Sequence, residues 1–320
     1  MNSEQAMQVM EEVRKAVIGK NECIVRVMTA ILAKGHILID DIPGVGKTTM
    51  AMAFSKAMDL TQRRVQFTPD VMPADITGFS LYQKETGQFV YQNGAVMCNL
   101  LLADEINRTS PKTQSALLEV MEEGFVTVDG VSREVPKPFI VIATQNPVGS
   151  AGTQMLPESQ LDRFMICIQM GYPDMDAELE IVKGRSAGFS TDQVSPVADS
   201  GDLLRMQREA ETVYVHDAIY AYMGQLVQAT REHPMVQLGV SPRGTIALAR
   251  MAKALAYLQG RNYVLPQDVT DIAKDVMLHR LRLSAKARVN QLSPGDVLDE
   301  ILEQVKPPTL RRRQTEGLQG

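Results

Sequence analysis

The segment Gly44-Val45-Gly46-Lys47-Thr48-Thr49 has the composition of a phosphate cradle. It follows an apolar run and opens a helical stretch, the context in which a glycine-rich loop holds a nucleotide. Glycines let backbone N–H groups close around phosphate oxygens that a Cβ would obstruct. The helix N-terminus behind them adds partial positive charge aimed at the same anion. Lys47 would reach the β- and γ-phosphates of ATP, and the Thr48 hydroxyl would ligate Mg²⁺. The full pattern has glycine where this chain has Asp41. An acid there should alter the entry to the loop more than its contacts with phosphate.

A second chemical element ends the apolar run Leu100-Leu101-Leu102-Ala103 with two adjacent carboxylates, Asp104 and Glu105. In a parallel sheet such a strand is buried on both faces, so the acids emerge at its carboxyl end, where these sheets bind ligands. Asp104 would hold Mg²⁺ and Glu105 would polarise the water that attacks the γ-phosphate. The run Phe139 to Thr144 leads into Gln145, Asn146 and Pro147. Lying between the other two strands, it would bring Asn146 to the γ-phosphate, where an amide can bond both water and phosphate. An ordinary turn Asn before Pro is the plainer alternative.

Two arginines need partners. Arg163 follows Leu156-Pro157-Glu158-Ser159-Gln160-Leu161-Asp162 and precedes another apolar strand, Met165 to Ile168. Arg243 falls in the first turn of a helix capped by Ser241, facing the positive end of the dipole, which costs a few tenths of a kcal/mol or more. A phosphate ligand would offset that placement; a surface pair with Asp162 and a solvated Arg243 are the competing explanations.

The elements that must position these groups alternate through the first two-thirds of the chain, as in an α/β domain with a parallel sheet. Buried strands are expected at His36 to Ile39, Arg64 to Phe67, Leu100 to Ala103 and Phe139 to Ala143, with helices near Lys47 to Met58 and Thr113 to Glu122. Hairpin signals interrupt them at Leu81 to Tyr91, around Thr86-Gly87, and at Val126 to Val135, around Asp129-Gly130. After Tyr172-Pro173 strand runs give way to successive helices. Ser241-Pro242 and Ser293-Pro294 mark helix starts, and Gly260 marks a stop. The chain thus divides into an α/β nucleotide-binding part (1–173), a helical part (174–307) and a basic, polar tail (308–320) with Arg311 to Arg313, expected to be disordered.

Composition narrows the function. Hydrophobic residues make up 44% and charged residues 22%, enough for real cores. A net charge of −5 argues against a broad nucleic-acid surface. Cys23, Cys98 and Cys167 show no paired spacing, and the four histidines no ligand spacing, so neither a disulfide framework nor a metal cluster is expected. The N-terminus carries no apolar signal segment, and no run approaches the roughly 18 apolar residues of a membrane span. A cytoplasmic location follows as an expectation.

In this order, the phosphate loop, the acidic strand end, Thr144-to-Pro147, Asp162-Arg163-Phe164 and Ser241-Pro242-Arg243 resemble the AAA+ ATPases. The wording is closer still to the MoxR group in Phe67-Thr68-Pro69-Asp70, Asp104-Glu105-Ile106-Asn107-Arg108, Pro111 to Glu119, Ala143 to Pro147 and Leu156-Pro157-Glu158. The likeness covers about Val17 to Pro307. It implies a P-loop domain with a central parallel sheet (αβα), followed by a small all-α lid. It further implies that Lys47 and Thr48 are the Walker A pair, Asp104 and Glu105 the Walker B pair, Asn146 sensor 1 and Arg243 sensor 2. Arg163 matches the arginine finger, which in this family acts on a neighbouring subunit's nucleotide. Val17-Ile18-Gly19 resembles the linker that packs on adenine, and the two hairpins resemble the helix-2 insert and the pre-sensor-1 hairpin. The family also implies hexameric rings, chaperone-like remodelling of protein clients and a partner with a von Willebrand factor A domain. Two other classes compete: a nucleic-acid motor or loader, disfavoured by the acidic balance and by aromatic content of only 5% without Trp, and a nucleotide-gated scaffold, disfavoured by an intact Glu105.

Overall fold

The computed structural model describes residues 3–42, 44–146, 155–186 and 191–309. Its strands are β1 (Ile37–Asp40), β2 (Gln62–Gln66), β3 (Gly78–Gln83), β4 (Gln88–Asn93), β5 (Leu100–Asp104), β6 (Phe125–Val128), β7 (Val131–Glu134), β8 (Ile140–Gln145), β9 (Ile166–Ile168), β10 (Val236–Leu238) and β11 (Arg282–Leu283). In the first part the helices are α1 (Glu4–Ala16), α2 (Asn21–Leu32), α3 (Lys47–Ala57), α4 (Pro73–Thr77), α5 (Pro111–Glu123) and α6 (Glu158–Leu161). They continue with α7 (Met175–Ser186), α8 (Ser200–Glu211), α9 (Asp217–Glu232), α10 (Pro242–Leu258), α11 (Pro266–Met277), α12 (Ala285–Val289) and α13 (Pro294–Gln304).

Among the described residues the central sheet has the order β2-β5-β8-β1-β9, with every pairing parallel. The strand expected between the phosphate-loop strand and the acidic strand, β8, lies there. Period-two alternation explains why these runs read as continuously apolar. Ile37, Ile39, Leu100, Leu102, Ile140 and Ile142 face one core, while Leu38, Leu101, Ala103, Val141 and Ala143 face the other. The expectation of a buried strand at 64–67 needs correcting: β2 is an edge strand whose Arg63 and Arg64 are exposed. An edge strand pairs on one side only, so its side chains can reach solvent.

Both hairpins form where their turns permit. Asp129 and Gly130 have φ of 52° and 74°, the double positive φ of a tight hairpin turn. They join β6 to β7, and Thr86-Gly87 joins β3 to β4. Arg133 stacks over the Tyr91 ring at 4.0 Å and so ties one hairpin to the other.

Beyond β9 the chain is mainly helical, with a short antiparallel ribbon of β10 and β11 added to it. The Ser241 and Ser293 hydroxyls accept from Gly244 N and Asp296 N, capping α10 and α13 as expected, and Gly260 (φ 71°) follows the end of α10. The core of these helices is continuous with one face of the sheet, through α1 and α2. Gln207 of α8 donates to the Ile31 carbonyl at 2.8 Å across that junction. The basic residues Arg311 to Arg313 lie outside the described residues.

Asp41, the departure from the glycine pattern, accounts for how the phosphate loop leaves the sheet. Its Oδ2 accepts from Met170 N and Gly171 N, both at 2.6 Å, and its Oδ1 accepts from Ile42 N at 2.8 Å. The carboxylate therefore joins the exit of β1 to the exit of β9, next to the loop. Replacing it by Ala removes the carboxylate that three backbone amides donate to. Asp41→Ala should lose about 1–3 kcal/mol of stability, read as a lower denaturant midpoint with an unchanged slope. An unchanged midpoint would show that water satisfies those amides equally well.

Candidate active site

Gly44 and Gly46 have φ of 86° and 96°, a region that side chains other than glycine rarely occupy. Gly46 caps α3, so the loop delivers free N–H groups at a helix N-terminus. Lys47, the first residue of α3, is buried. Its Nζ donates to the Asp41 carbonyl at 2.6 Å and to Asn146 Oδ1 at 3.3 Å. Burial lowers the Lys47 ammonium below the ordinary lysine range, opposed by the carboxylates of Asp41, Asp104, Asp40 and Glu105 around it.

The acidic pair is held by groups from the two strands that flank β5 and from the turns that follow β5 and β8. Thr144 Oγ1 donates to Asp104 Oδ1 at 2.6 Å and accepts from Glu105 N at 2.9 Å. Arg64 of β2 donates to Asp104 Oδ2 at 2.7 Å, because Gln66 and Asp104 are in register and Arg64 lies on the same face two residues earlier. Glu105 has φ of 56°, an unusual conformation for a non-glycine residue that turns its side chain out of the strand line. Its Oε1 accepts from Asn146 Nδ2 at 2.9 Å and its Oε2 from Arg108 Nη1 at 2.7 Å. The Asn146 amide thus joins the Lys47 ammonium to the Glu105 carboxylate. Asn107 Nδ2 holds the Asn146 carbonyl at 3.1 Å and fixes that amide in place.

Thr48 and Asp104 line one cavity with Gly44, Lys47, Glu105 and Asn146. A hydroxyl and a carboxylate oxygen suit Mg²⁺ when phosphate oxygens complete the shell, which is how that ion is commonly bound. Among the described residues no group of three or more His, Cys, Asp or Glu could hold a metal unaided.

A second hollow of about 350 Å³ adjoins the loop, walled by Val17, Ile18, Val45, Thr49, Met52 and Pro173. Its apolar wall beside a phosphate cradle suits a planar base. Lys20 fixes the floor by donating to the carbonyls of Met170 and Tyr172 at 2.8 and 2.7 Å. Gly19 is not part of this wall. A Cβ on it would lie 2.5 Å from Ala177 Cβ, so its glycine permits α7 to pack closely.

Arg163 and Arg243 are brought together, but not to the phosphate loop of their own chain. Both meet Glu122: Arg243 Nη2 is ion-paired with Oε1, and Arg163 Nε lies 3.3 Å from Oε2 without hydrogen-bond geometry. They sit where β9 and β1 begin, since Met165 N bonds the His36 carbonyl, whereas the loop follows the end of β1. The whole strand, at about 3.3 Å per residue, separates the two places. The adverse helix-terminal position of Arg243 is therefore offset within the chain by a carboxylate.

Four contributors escaped the sequence reading: Arg64, Arg108, Thr144 and the specific role of Asp41. A charged residue on an otherwise apolar strand was the available signal for Arg64. Arg108 lies three residues after Glu105, the spacing of a turn neighbour.

Comparison with known proteins agrees with this fold. Residues 36–166 match the ATPase family associated with various cellular activities (AAA), and residues 228–301 match the AAA lid domain. Chaperone MoxR1 of Mycobacterium tuberculosis is 39% identical over 96% of this chain and 83% of its own length. Protein YeaC of Bacillus subtilis, itself uncharacterized, is 46% identical over 94% of both chains. A crystal structure of a candidate ATPase from Cytophaga hutchinsonii superposes with a TM-score of 0.88 at 37% identity, covering 96% of each chain. With a central parallel sheet, a lid domain and relatives of this likeness, the chain belongs to the MoxR-type AAA+ ATPases.

Proposed function

We propose that this protein hydrolyses Mg-ATP as one subunit of a hexameric ring and uses the energy to remodel protein partners. The observation that carries the reading is the Asn146 amide bonded to both Lys47 and Glu105 at the ends of three adjacent strands. A lysine ammonium and a carboxylate on either side of one amide support a phosphate-binding role for Lys47 and a general-base role for Glu105.

In this reading the amides of residues 44–49 cradle the phosphates and Lys47 contacts the β- and γ-phosphates. The adenine lies against Val17 and Ile18, with Gly19 letting α7 close the base pocket. Thr48 and Asp104 hold Mg²⁺, which when bound offsets the phosphate charge and orients the γ-phosphate. Arg64, now paired with Asp104, has to share that carboxylate. Glu105 takes the proton from the attacking water while the bond from the γ-phosphorus to its bridging oxygen breaks. Asn146 and Arg108 hold Glu105 in line, and Asn146 also orients the water. Glu105→Gln should retain ATP but turn it over at least about a hundredfold more slowly, and Lys47→Ala should lose most nucleotide affinity. Normal turnover by the Glu105→Gln protein would remove Glu105 from the reaction.

The placement of Arg163 and Arg243 away from their own loop supports their acting on a neighbouring subunit's nucleotide. Arg163→Ala should bind ATP nearly as the parent does, yet lose turnover by about 10³-fold or more. Mixing that protein with Glu105→Gln subunits should restore part of the activity, because one kind of interface regains both groups. Proven mixed assemblies with no restored activity would contradict the shared site.

A protein client is supported by the acidic balance and by the exposed apolar hairpin, and the family resemblance adds a cytoplasmic setting and a von Willebrand factor A partner. Tyr82 and Phe89 are cross-strand partners, 51% and 73% exposed, with ring centroids 5.3 Å apart. Tyr82→Ala or Phe89→Ala should leave basal turnover largely intact and abolish its stimulation by a client protein. Stimulation by DNA that vanishes between about 50 and 200 mM salt would instead identify a nucleic-acid motor.

A further inference from the structure

The face bearing Arg163 and Arg243 contains a third charged group that the hydrolytic reaction does not use. Glu122 occupies the last turn of α5, and its two oxygens are divided between the two arginines. Both sides of this contact are fixed from behind. His36 Nδ1 accepts from Val141 N at 3.0 Å, so the proton is on Nε2, which donates to the Met121 carbonyl at 2.9 Å and anchors the end of α5. Burial keeps that ring neutral, its pKa lowered to about 4.

On the arginine side, the Asp162 carboxylate accepts from the Ser241 hydroxyl at 2.8 and 2.9 Å and from Arg280 Nε at 2.8 Å. Arg280 also donates to the Asp162, Phe164 and Met165 carbonyls. The segment carrying Arg163 and the helix carrying Arg243 are therefore joined, and both are presented to one carboxylate. The contact opens on a hollow of about 270 Å³ that Arg250 also lines. Arg250 is exposed and lies two helical turns after Arg243, and with Lys34 and Arg280 it gives the hollow more cations than the two carboxylates, Glu122 and Asp162, that line it.

A carboxylate and a phosphate offer guanidinium groups the same kind of charged, oxygen-bearing edge. We infer that Glu122 is the intramolecular stand-in for a neighbouring copy's γ-phosphate: it parks Arg163 and Arg243 while the interface is open and yields them when that phosphate arrives. The inference rests on the proposal that these arginines serve a neighbour. The guanidinium charges drawn to Glu122 are those the phosphate needs, so the ion pairs compete with productive association. At 35% exposure of the Glu122 side chain, water weakens this competition without abolishing it.

The test is the ATPase rate per subunit against subunit concentration for the full chain, its E122Q and E122D forms, and R163A. E122Q keeps the shape of the side chain and removes its charge. It should reach half-maximal rate at a concentration about two- to fivefold lower, the scale of a partly exposed ion pair, with the plateau retained because only the unassembled state is affected. E122D draws the charge back by one methylene and should fall between E122Q and the parent. It provides the same reading if E122Q melts early. A midpoint that stays or rises, or a plateau that drops, overturns the parking role, the last by making Glu122 a positioning group for the assembled site. R163A is the separate control: loss of its turnover at every concentration supports the shared site, whereas normal turnover by R163A overturns that site and the parking role together, whatever E122Q does.

Discussion

Parallel pairing of β5, β8 and β1 is the constraint from which the site follows. Three adjacent strands buried on both faces leave polar side chains nowhere to go but the strand ends, and parallel direction puts those ends on one edge. Asp104 and Glu105, Thr144 and Asn146, and the loop after Asp40 are therefore neighbours although far apart in sequence. Register refines this further. Ile39 opposite Thr144 and Ala103 opposite Ala143 align the three ends within about one residue, so a single amide can reach from Lys47 to Glu105.

The same direction of strands keeps the arginines away. Residues that precede β9 emerge at the opposite edge from residues that follow β1. The chain compensates for their isolation with a local network in which Asp162, Ser241 and Arg280 join two segments, and Glu122 neutralises part of the exposed charge.

Much of this was legible in the residues themselves. The loop, the acid pair and the capping serines are local signals whose meaning depends on a few positions, and β8 could be placed between β1 and β5. What was hidden depends on contacts between distant segments. Arg64 reads as one residue of a buried strand until β2 is known to be an edge. Asp41 reads as a defect in a glycine pattern until Met170 and Gly171 are beside it. Arg243 calls for an anion, but sequence spacing cannot show that Glu122, 121 residues earlier, supplies one. Gly19 reads as part of a base-binding linker, whereas its lack of a Cβ serves the approach of Ala177.

The central claim is that the nucleotide site is completed by two copies of this chain, and the structure of the assembled protein with ADP, Mg²⁺ and aluminium fluoride tests it most directly. The account predicts fluoride contacts from Lys47 and Asn146 of one copy and from Arg163 and Arg243 of the next, with Glu122 released from both arginines. A transition-state mimic fully enclosed by one copy, with Arg163 and Arg243 still on Glu122 and remote from every fluoride, would contradict it.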